Sequence, residues 1–314
     1  MSNRSIHTLL KNWDEECPLT REEAVEVLNL PEEEMDSLME CAYALRTKYK
    51  GKKVSVQLLT NVRSGNCTQN CAYCAQSKDS QAEIEKYKRV SDEKLYGDND
   101  LVDEKHLARH CIGLSGIGFS DEEIEDLADR IREMKKKDTQ ICCSIGFLTE
   151  KQARILKDAG LDRINHNLNS SRSFYPEICT THTYDQRVNN IKMLQSLGFE
   201  ICSGGIVGMG ESKEDIVDML MDLREINPES VPINFLLPIP GTKLADRDIS
   251  ELTPDYCMKV LCLARLMVPK SDIRCAAGRE VYFKGLEPEL FKVVDSIFAL
   301  SLIHISEPTR LDVI

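Results

Sequence analysis

The chain lacks three features that would direct it to a membrane, a secretory route or a nucleic acid. It contains no run of about 18 apolar residues, so no transmembrane helix is expected. Its N-terminal stretch, MSNRSIHTLLKNWDEECPLT, lacks the apolar core of a signal peptide. With 40 basic and 52 acidic side chains, the formal net charge of −12 argues against a nucleic acid or an anionic membrane as the main partner. We therefore expect a cytoplasmic protein whose 13 cysteines are ligands or buried thiols rather than disulfides.

The length of 314 residues, with 42% hydrophobic side chains, suits one large globular domain, because α/β barrels of this size form single units. Near the N-terminus, Thr20 and Glu23 predict a capping box, and a second helix is predicted from Pro31 to Gly51. The predicted organisation is an N-terminal helical extension at 1–50, a barrel at 51–300 and an atypical tail at 301–314.

From residue 106 onward, short apolar strands alternate with amphipathic helices. This alternation predicts βαβ units and a parallel sheet, and about seven strands indicate a full or partial (βα) barrel. One of the helices is predicted to begin with a capping box of Ser120 and Glu123. The segment Asp79–Lys105 is charged and poorly periodic, and no helix is predicted there. The strands are predicted near 54–59, 110–114, 140–146, 162–167, 200–206, 231–236 and 272–276.

Cys67, Cys71 and Cys74 form a C-x3-C-x2-C pattern within SGNCTQNCAYCAQS. Three thiolates on one short loop repel one another unless a cation holds them, and such loops bind zinc or an iron–sulfur cluster. A structural zinc loop usually has a second Cys or His pair at a fixed spacing, and none follows closely here. Three ligands are one short of a closed tetrahedral site. Either a distant residue completes the site or one metal position stays open for a ligand.

The predicted strand ends carry polar side chains where a simple core would have Val, Ile or Leu. In barrels, working residues sit at the carboxyl ends of strands. A single cysteine there is more often a small buried hydrophobe than a ligand, but three on separate strands are harder to explain as core residues. Adjacent strand residues face opposite ways, which leaves open whether Cys142 or Cys143, and whether Arg274 or Cys275, points inward. The residues at these ends are Cys111, Cys142, Asn165 with Asn167, Cys202, Asn234 and Arg274.

The cysteine spacing followed by βα units resembles the radical S-adenosylmethionine superfamily. The segments NCTQNCAYCAQS, INHNLNSSRSFYPEICTTHTYDQRV, EICSGGIVGMGES, SVPINFLLPIPGTKLAD and IRCAAGRE closely resemble the biotin synthase family. The resemblance implies an α/β fold, a radical SAM (βα) TIM-type barrel with an N-terminal helical cap, in a homodimer that inserts sulfur into dethiobiotin to make biotin. It also implies a [4Fe–4S] cluster, an auxiliary [2Fe–2S] cluster, S-adenosylmethionine and a flavodoxin- or ferredoxin-type electron donor.

The same resemblance implies roles for individual residues of this chain. An amide suits a ureido ring and ribose hydroxyls because it both donates and accepts, whereas arginine is a rare metal ligand. The implied [4Fe–4S] ligands are Cys67, Cys71 and Cys74, and the implied auxiliary ligands are Cys111, Cys142, Cys202 and Arg274. The implied S-adenosylmethionine neighbours are Tyr73, Asn167, Asn169 and Arg187, and the implied dethiobiotin neighbours are Asn165, Asn167 and Asn234.

The reaction implied by the family begins when an electron entering the [4Fe–4S] cluster cleaves the sulfonium. The resulting 5′-deoxyadenosyl radical takes hydrogen from dethiobiotin carbons. The auxiliary cluster supplies sulfur, and a second round closes the ring. The cofactors carry this chemistry, while the protein positions them and excludes water.

The sequence departs from the family pattern in several places. Asn169 stands where many members have Asp, and Asp79–Leu107 lacks the usual helix with small residues. A closing strand is predicted at DSIFA, but after about Ala299 the tail SLIHISEPTRLDVI has no matching motif, and we interpret it as a truncated or non-native end. Two alternatives stay open: another radical enzyme acting on a different small molecule, and a non-catalytic iron–sulfur carrier or zinc-stabilised barrel. The thiols without motif support, interpreted as core or surface residues, are Cys17, Cys41, Cys179, Cys257 and Cys262.

Overall fold

The structure, a computed structural model, describes residues 19–299. Within this range nine strands form one all-parallel sheet that closes on itself. The strands are β1 (Ser55–Arg63), β2 (Arg109–Leu114), β3 (Ile141–Ser144), β4 (Arg163–Asn165), β5 (Glu200–Cys202), β6 (Gly205–Val207), β7 (Ser230–Phe235), β8 (Asp272–Cys275) and β9 (Ser296–Phe298). Because β5 and β6 both pair with β7, the strands fill eight positions around a barrel. The predicted closing strand is present as β9, which joins β8 to β1.

Helices surround the barrel, and several begin as the sequence predicts. Thr20 with Glu23 and Ser120 with Glu123 both form complete capping boxes, which confirms those two predictions. In the described range the helices are α1 (Arg21–Leu28), α2 (Met35–Lys50), α3 (Asp92–Glu104), α4 (Asp121–Met134), α5 (Glu150–Asp158), α6 (Tyr175–Ile178), α7 (Tyr184–Ser196), α8 (Lys213–Ile226), α9 (Pro254–Met267), α10 (Arg279–Tyr282) and α11 (Glu287–Val293), with a short 3-10 helix at Glu32–Glu34.

Helix α3 corrects the expectation that Asp79–Lys105 holds no helix. It begins at an N-cap, where the Ser91 hydroxyl accepts a hydrogen bond from the Lys94 amide. Its buried positions are Leu95, Asn99 and Val102, so a polar residue interrupts the apolar face. The Asn99 amide donates to the Met134 carbonyl of α4 at 3.2 Å. The prediction was wrong because tertiary contacts, rather than a visible apolar period, stabilise this helix.

The main hydrophobic core fills the layer between the barrel and the helices. Ile112 of β2 and Cys143 of β3 lie in this layer, on the outer face of the sheet. Helices α1 and α2 extend it, since α2 packs against α9 and α11 while α1 packs against α8 and α9. No helix within residues 19–299 has the length and apolarity needed to cross a bilayer. The predicted tail at 301–314 and Cys17 lie outside the described residues.

The strand predicted at 200–206 is broken in two by Ser203 and Gly204. A side-chain carbon on Gly204 would lie 1.9 Å from the Pro232 carbonyl oxygen, so only glycine allows β7 to approach this closely. The Ser203 amide donates to the Ser230 carbonyl at the break. Residue 205 then pairs in parallel with Asn169, which extends the barrel wall beyond β4. The sequence prediction of one continuous strand is therefore corrected.

Candidate active site

The cysteine loop, residues 64–78, follows the carboxyl end of β1. Its own backbone folds it back on itself: the Cys67 amide donates to the Gln76 carbonyl at 3.3 Å, and the Lys78 amide donates to the Gln69 carbonyl at 2.9 Å. All three cysteines of the loop are half-buried and none is in a disulfide. The loop therefore presents three thiols on one compact turn at the barrel mouth.

The thiols of the cysteine loop are close enough to influence one another. The pKa of Cys74 is raised, mainly by burial and then by the charge of Cys67. The Cys71 thiol also feels the charge of Cys74. Bringing a metal cation to this loop would relieve both the burial cost and the repulsion of the thiolates. The donor set therefore fits an iron–sulfur cluster that leaves one metal position without a protein ligand.

Asn70 fastens the cysteine loop to the segment that follows α6. Its side-chain oxygen accepts from the Thr180 amide at 3.0 Å, and its amide donates to the Thr180 hydroxyl at 2.6 Å. The Thr181 hydroxyl donates to the same oxygen at 3.1 Å. Two residues along, the Ala72 amide donates to the Ile178 carbonyl at 2.8 Å. The position of the cysteine loop thus depends on contacts about 110 residues away in the chain.

Cys179 and His182 were not predicted as site residues, yet both lie beside the cysteine loop. The Cys71 and Cys179 sulfurs are 3.8 Å apart, and the Cys179 sulfur is 3.4 Å from His182 Nδ1. The shared hydrogen bond raises the pKa of Cys71 and lowers that of Cys179. A Cys-x2-His spacing was visible in the sequence and could have signalled this pair, but nothing in the chain order relates it to Cys71.

Arg187, which the resemblance predicts to lie near S-adenosylmethionine, is in the wall next to the cysteine loop. It donates from Nε to the Tyr175 hydroxyl, from one terminal nitrogen to His182 Nε2 at 2.8 Å, and from the other to the Asn167 carbonyl at 3.0 Å. Burial raises the pKa of the Tyr73 hydroxyl, which also feels the charges of Cys71 and Arg187. Tyr73, Arg187 and the cysteine loop therefore share one region of the mouth.

The second group, here called the barrel thiols, consists of Cys111, Cys142 and Cys202. These thiols are buried and form a cluster of their own, separate from the main core. The expectation that they lie at strand ends is wrong for two of them: Cys111 is the third residue of β2, and Cys142 is the second residue of β3. The Cys111 thiol donates to the side-chain oxygen of Gln57, near the start of β1. The group therefore lies inside the barrel, below the mouth.

The alternation of the strands decides which of the paired candidates face inward. Arg274 donates to the Ser296 hydroxyl at 3.0 Å and the Ser230 hydroxyl at 3.2 Å, and one terminal nitrogen lies 3.8 Å from the Cys202 sulfur. Its neighbour Cys275 lies in the outer core with Cys143. The inward-facing members of the two pairs are therefore Arg274 and Cys142, rather than Cys275 and Cys143.

Hydrogen bonds and a buried cation shift the pKa values of the three barrel thiols in different directions. The hydrogen bond from Cys142 lowers the pKa of Cys111, and the nearby Arg274 charge lowers it further against the effect of burial. The same hydrogen bond raises the pKa of Cys142 to about 12. The pKa of Cys202 is raised by its hydrogen bond to Cys142 and by burial. A buried guanidinium next to three thiols stabilises negative charge there, which is what a thiolate-bound metal group requires.

Amides at the end of β4 connect the two regions. The Asn165 amide lies 3.2 Å from the Cys202 sulfur and 3.4 Å from the Asn167 side-chain oxygen. Asn167 in turn accepts from the Gly204 amide through its side chain and from Arg187 through its carbonyl. This amide ladder (Asn165 and Asn167) runs from the barrel thiols to the wall beside the cysteine loop.

The other two predicted amides serve the backbone. The Asn234 side chain donates to the Gly205 carbonyl at 3.0 Å and accepts from the Ala277 amide at 3.1 Å, so it braces β7 against its neighbours. Asn169 has a φ of 71°, a left-handed conformation that Asn tolerates better than most residues. Its backbone pairs with Gly204 and Ile206. Both residues border the amide ladder, but their shown contacts are structural.

Two models of known protein families match successive parts of the chain. A model of the Radical SAM superfamily matches residues 61–223, and a model of the Biotin and Thiamin Synthesis associated domain matches residues 232–312. The chain is 42% identical to a biotin synthase of Geobacillus kaustophilus (strain HTA426) over 281 residues, which is 89% of this chain and 84% of that protein. It is 41% identical to a biotin synthase of Bacillus subtilis (strain 168), over 89% of this chain and 83% of that protein. The chain belongs to the biotin synthase family.

Solved structures agree with the fold of this biotin synthase family member. Methylornithine synthase superposes with a TM-score of 0.80 at 18% identity, over 98% of this chain and 88% of that one. The FeFe-hydrogenase maturase HydG from Carboxydothermus hydrogenoformans gives a TM-score of 0.80 at 19% identity, over 94% and 70%. At this identity the likeness concerns the fold alone. Membership of the radical SAM superfamily implies a [4Fe–4S] cluster and S-adenosylmethionine.

Proposed function

We propose that this chain inserts sulfur into dethiobiotin to form biotin by radical chemistry. The observation that carries the proposal is the placement of two thiol groups in one barrel, joined by the amide ladder. A small molecule lying along the ladder would meet the cysteine loop at one end and the barrel thiols at the other. The proposed [4Fe–4S] ligands are Cys67, Cys71 and Cys74, and the proposed ligands of an auxiliary [2Fe–2S] sulfur donor are Cys111, Cys142, Cys202 and Arg274.

When bound, the cofactors supply one-electron cleavage of a sulfonium and the sulfur atom that is transferred. The residues of the chain do the positioning. Arg187 is held by Tyr175, His182 and the Asn167 carbonyl, so its charge is fixed beside Tyr73 and Cys71. A fixed guanidinium can orient a carboxylate of the cofactor with little loss of side-chain entropy.

Asn165 and Asn167 offer donors and acceptors along the expected path of dethiobiotin, whose ureido group needs both. Asn234 keeps one amide hydrogen beyond its bond to Gly205, which leaves it able to donate to the substrate at the edge of β7. Asn169 braces the wall that carries Asn167. Since the barrel thiols are almost entirely buried, the interior also excludes the water that would quench a radical.

The experiment uses anaerobically reconstituted full-length chain with S-adenosylmethionine, a reductant and dethiobiotin. Iron, sulfide, 5′-deoxyadenosine and biotin are quantified together. We expect both products from the wild type, neither from Cys74→Ser, and 5′-deoxyadenosine without biotin from Cys111→Ser. Cys262→Ala, a buried thiol on α9, is the matched control and should retain both products. Wild-type protein with full iron and neither product would overturn the proposal, and would favour a non-catalytic metal-binding barrel.

A different outcome would identify a different enzyme. If the wild type forms 5′-deoxyadenosine but no biotin while it carries both clusters, the substrate is another small molecule. If Cys74→Ser forms 5′-deoxyadenosine at the wild-type rate, the proposed [4Fe–4S] ligands are wrong.

The wider setting is also proposed. The chain would act in the cytoplasm as a homodimer and receive electrons from a flavodoxin- or ferredoxin-type donor. Its organisation would be a helical extension at 1–50, a barrel at 51–300 and an atypical tail at 301–314. The packing of α1 and α2 on the outside of the barrel supports the first boundary.

A further inference from the structure

One group of potential metal ligands at the barrel mouth is not accounted for by the proposed cluster ligands. Within residues 19–299, Cys71, Cys179 and His182 form a set whose ligand atoms all lie within 4.8 Å of one another. Two of the three are buried and one is half-buried. Cys71 belongs to the cysteine loop, whereas the other two come from the segment between α6 and α7.

The distances match those of a tetrahedral zinc site. With Zn–S bonds of about 2.3 Å and Zn–N bonds of about 2.0–2.1 Å, neighbouring donors lie roughly 3.4–3.8 Å apart. The observed separation of the two sulfurs is 3.8 Å, and that of the Cys179 sulfur from His182 Nδ1 is 3.4 Å. The third edge, from Cys71 to His182, is no longer than 4.8 Å. Two thiols and an imidazole are also the ligand types that zinc prefers.

The surroundings can support the imidazole as a ligand. His182 Nδ1 now faces the side-chain oxygen of Gln69 at 2.9 Å, and Nε2 faces the Tyr175 hydroxyl at 2.8 Å. When a metal takes Nδ1, the ring hydrogen moves to Nε2, so the Arg187 nitrogen that now donates to Nε2 at 2.8 Å has to turn away, and the Tyr175 oxygen then accepts the Nε2 hydrogen. A hydrogen bond at the far nitrogen is the usual partner of a metal-bound histidine, because it fixes the ring and its tautomer.

We propose that, when the cysteine loop holds no cluster, Cys71, Cys179 and His182 bind one zinc ion, with an exogenous ligand in the fourth position. Binding releases the two thiol protons and involves no change of oxidation state. The ion uses the Cys71 thiolate, which then cannot join Cys67 and Cys74 in holding a cluster. Zinc and the [4Fe–4S] cluster therefore exclude each other. Only this exclusion rests on the proposed function; zinc binding by the three residues does not.

The test uses the full chain, free of cluster, reduced and under anaerobic conditions. Zinc affinity is measured by competition with a chromophoric chelator in the wild type, in Cys179→Ser and in Cys41→Ser. Cys41 is a half-buried thiol of α2 and serves as the matched control. Loss of a supporting hydrogen bond already weakens metal sites about 10–100-fold, so loss of the Cys179 ligand should weaken binding by about 100-fold or more. Equal affinity in the wild type and Cys179→Ser would overturn the proposal.

Two further readouts keep the result independent of catalysis. Cobalt in the wild-type site should give a tetrahedral spectrum with thiolate charge-transfer bands, and the Cys179→Ser spectrum should lose intensity in those bands. Iron uptake on reconstitution should be blocked by stoichiometric zinc in the wild type and in Cys41→Ser, but proceed in Cys179→Ser. Iron uptake that is equally insensitive to zinc in all three proteins would refute the exclusion. Failure to make biotin would leave each of these results standing.

Discussion

The cysteine loop and the barrel thiols use the same side chain on two different kinds of backbone. In the loop, three cysteines sit within eight residues, half-buried, on a turn whose place depends on hydrogen bonds to residues 178–181. In the barrel, three cysteines come from three strands, are buried, and are accompanied by Arg274. The loop also brings one of its thiols, Cys71, within 3.8 Å of a cysteine outside the loop, Cys179. The strands hold theirs in one arrangement.

The contrast fits the chemistry proposed for each region. A site that must bind and release S-adenosylmethionine benefits from a loop at the solvent edge. A sulfur donor that must wait for a radical benefits from burial and a fixed counter-charge. The fixed arrangement requires a buried polar network in which every hydrogen bond is made, because an unpaired buried polar group is destabilising.

The largest effect is expected from breaking the buried network around Asp295, which holds β8, the strand that carries Arg274. Asp295 lies between Arg46 of α2 and Arg265 of α9, and it also accepts from the Ile273 amide of β8 at 2.8 Å. Asp295→Asn leaves two buried guanidinium groups without a carboxylate and should lower the free energy of unfolding by about 3–5 kcal/mol. Denaturant unfolding of the cluster-free chain measures this.

The exposed carboxylate of Asp103 on α3 offers a control. Asp103→Asn should change the free energy of unfolding by no more than about 0.5 kcal/mol. If Asp295→Asn behaves like this control, the network does not hold β8 and its Arg274 in place, and the contrast between the two regions fails.

A pair of adjacent substitutions sharpens the distinction between the two faces of β3. Cys142→Ala removes an inward thiol and should cost the reconstituted protein about two iron atoms with little change in the stability of the cluster-free chain. Cys143→Ala removes an outward thiol and should lower the free energy of unfolding by about 1–2 kcal/mol with normal iron content. Iron analysis and denaturant unfolding are read on both proteins. The reverse pattern would mean that Cys143, not Cys142, faces the interior of the barrel.

The most local effect is expected at the cysteine loop. Asn70→Ala removes hydrogen bonds to Thr180 and Thr181, each worth about 0.5–1.5 kcal/mol, so a total loss of about 1–2 kcal/mol is expected at this half-buried position. The loss should be local, with amide exchange roughly tenfold faster in the cysteine loop and unchanged in β2 and β3. Asn189→Ala, an exposed Asn of α7, should leave exchange in both regions unaltered. Uniform acceleration throughout the barrel would show that the loop is not an independent unit.

Much of the barrel could be predicted because βα units have signals in the local sequence. The capping boxes at Thr20 and Ser120 and the closing strand after residue 294 are examples. The break at Gly204 could not be predicted, since it depends on the approach of Pro232 from another strand. Helix α3 was missed because its buried face includes Asn99, whose partner is a carbonyl of α4.

The site shows the same difference between features set by neighbouring residues, which could be predicted, and features set by distant contacts, which could not. The cysteine loop carries its pattern in consecutive residues, whereas the barrel thiols are 31 and 60 residues apart and were recognised as a group only through strand order and family resemblance. Their depth in the barrel could not be read from the sequence, because it depends on register: Cys111 pairs with Leu59 and Cys142, well below the end of β1. Cys179 was missed because its partner is 108 residues away.

The neighbours of Cys142 and Arg274 have a consequence for the charge of the barrel interior. A one-residue slip of β3 would exchange one thiol for another, because residues 142 and 143 are both cysteine. The same slip in β8 would exchange a cation for a thiol, since Cys275 follows Arg274. Strand β8 has side-chain bonds that hold it in place: the Ile273 amide to Asp295 and the Arg274 guanidinium to Ser296. The electrostatic potential around the proposed sulfur donor thus depends on the alignment of one four-residue strand, together with the charges of Arg109 and Arg163.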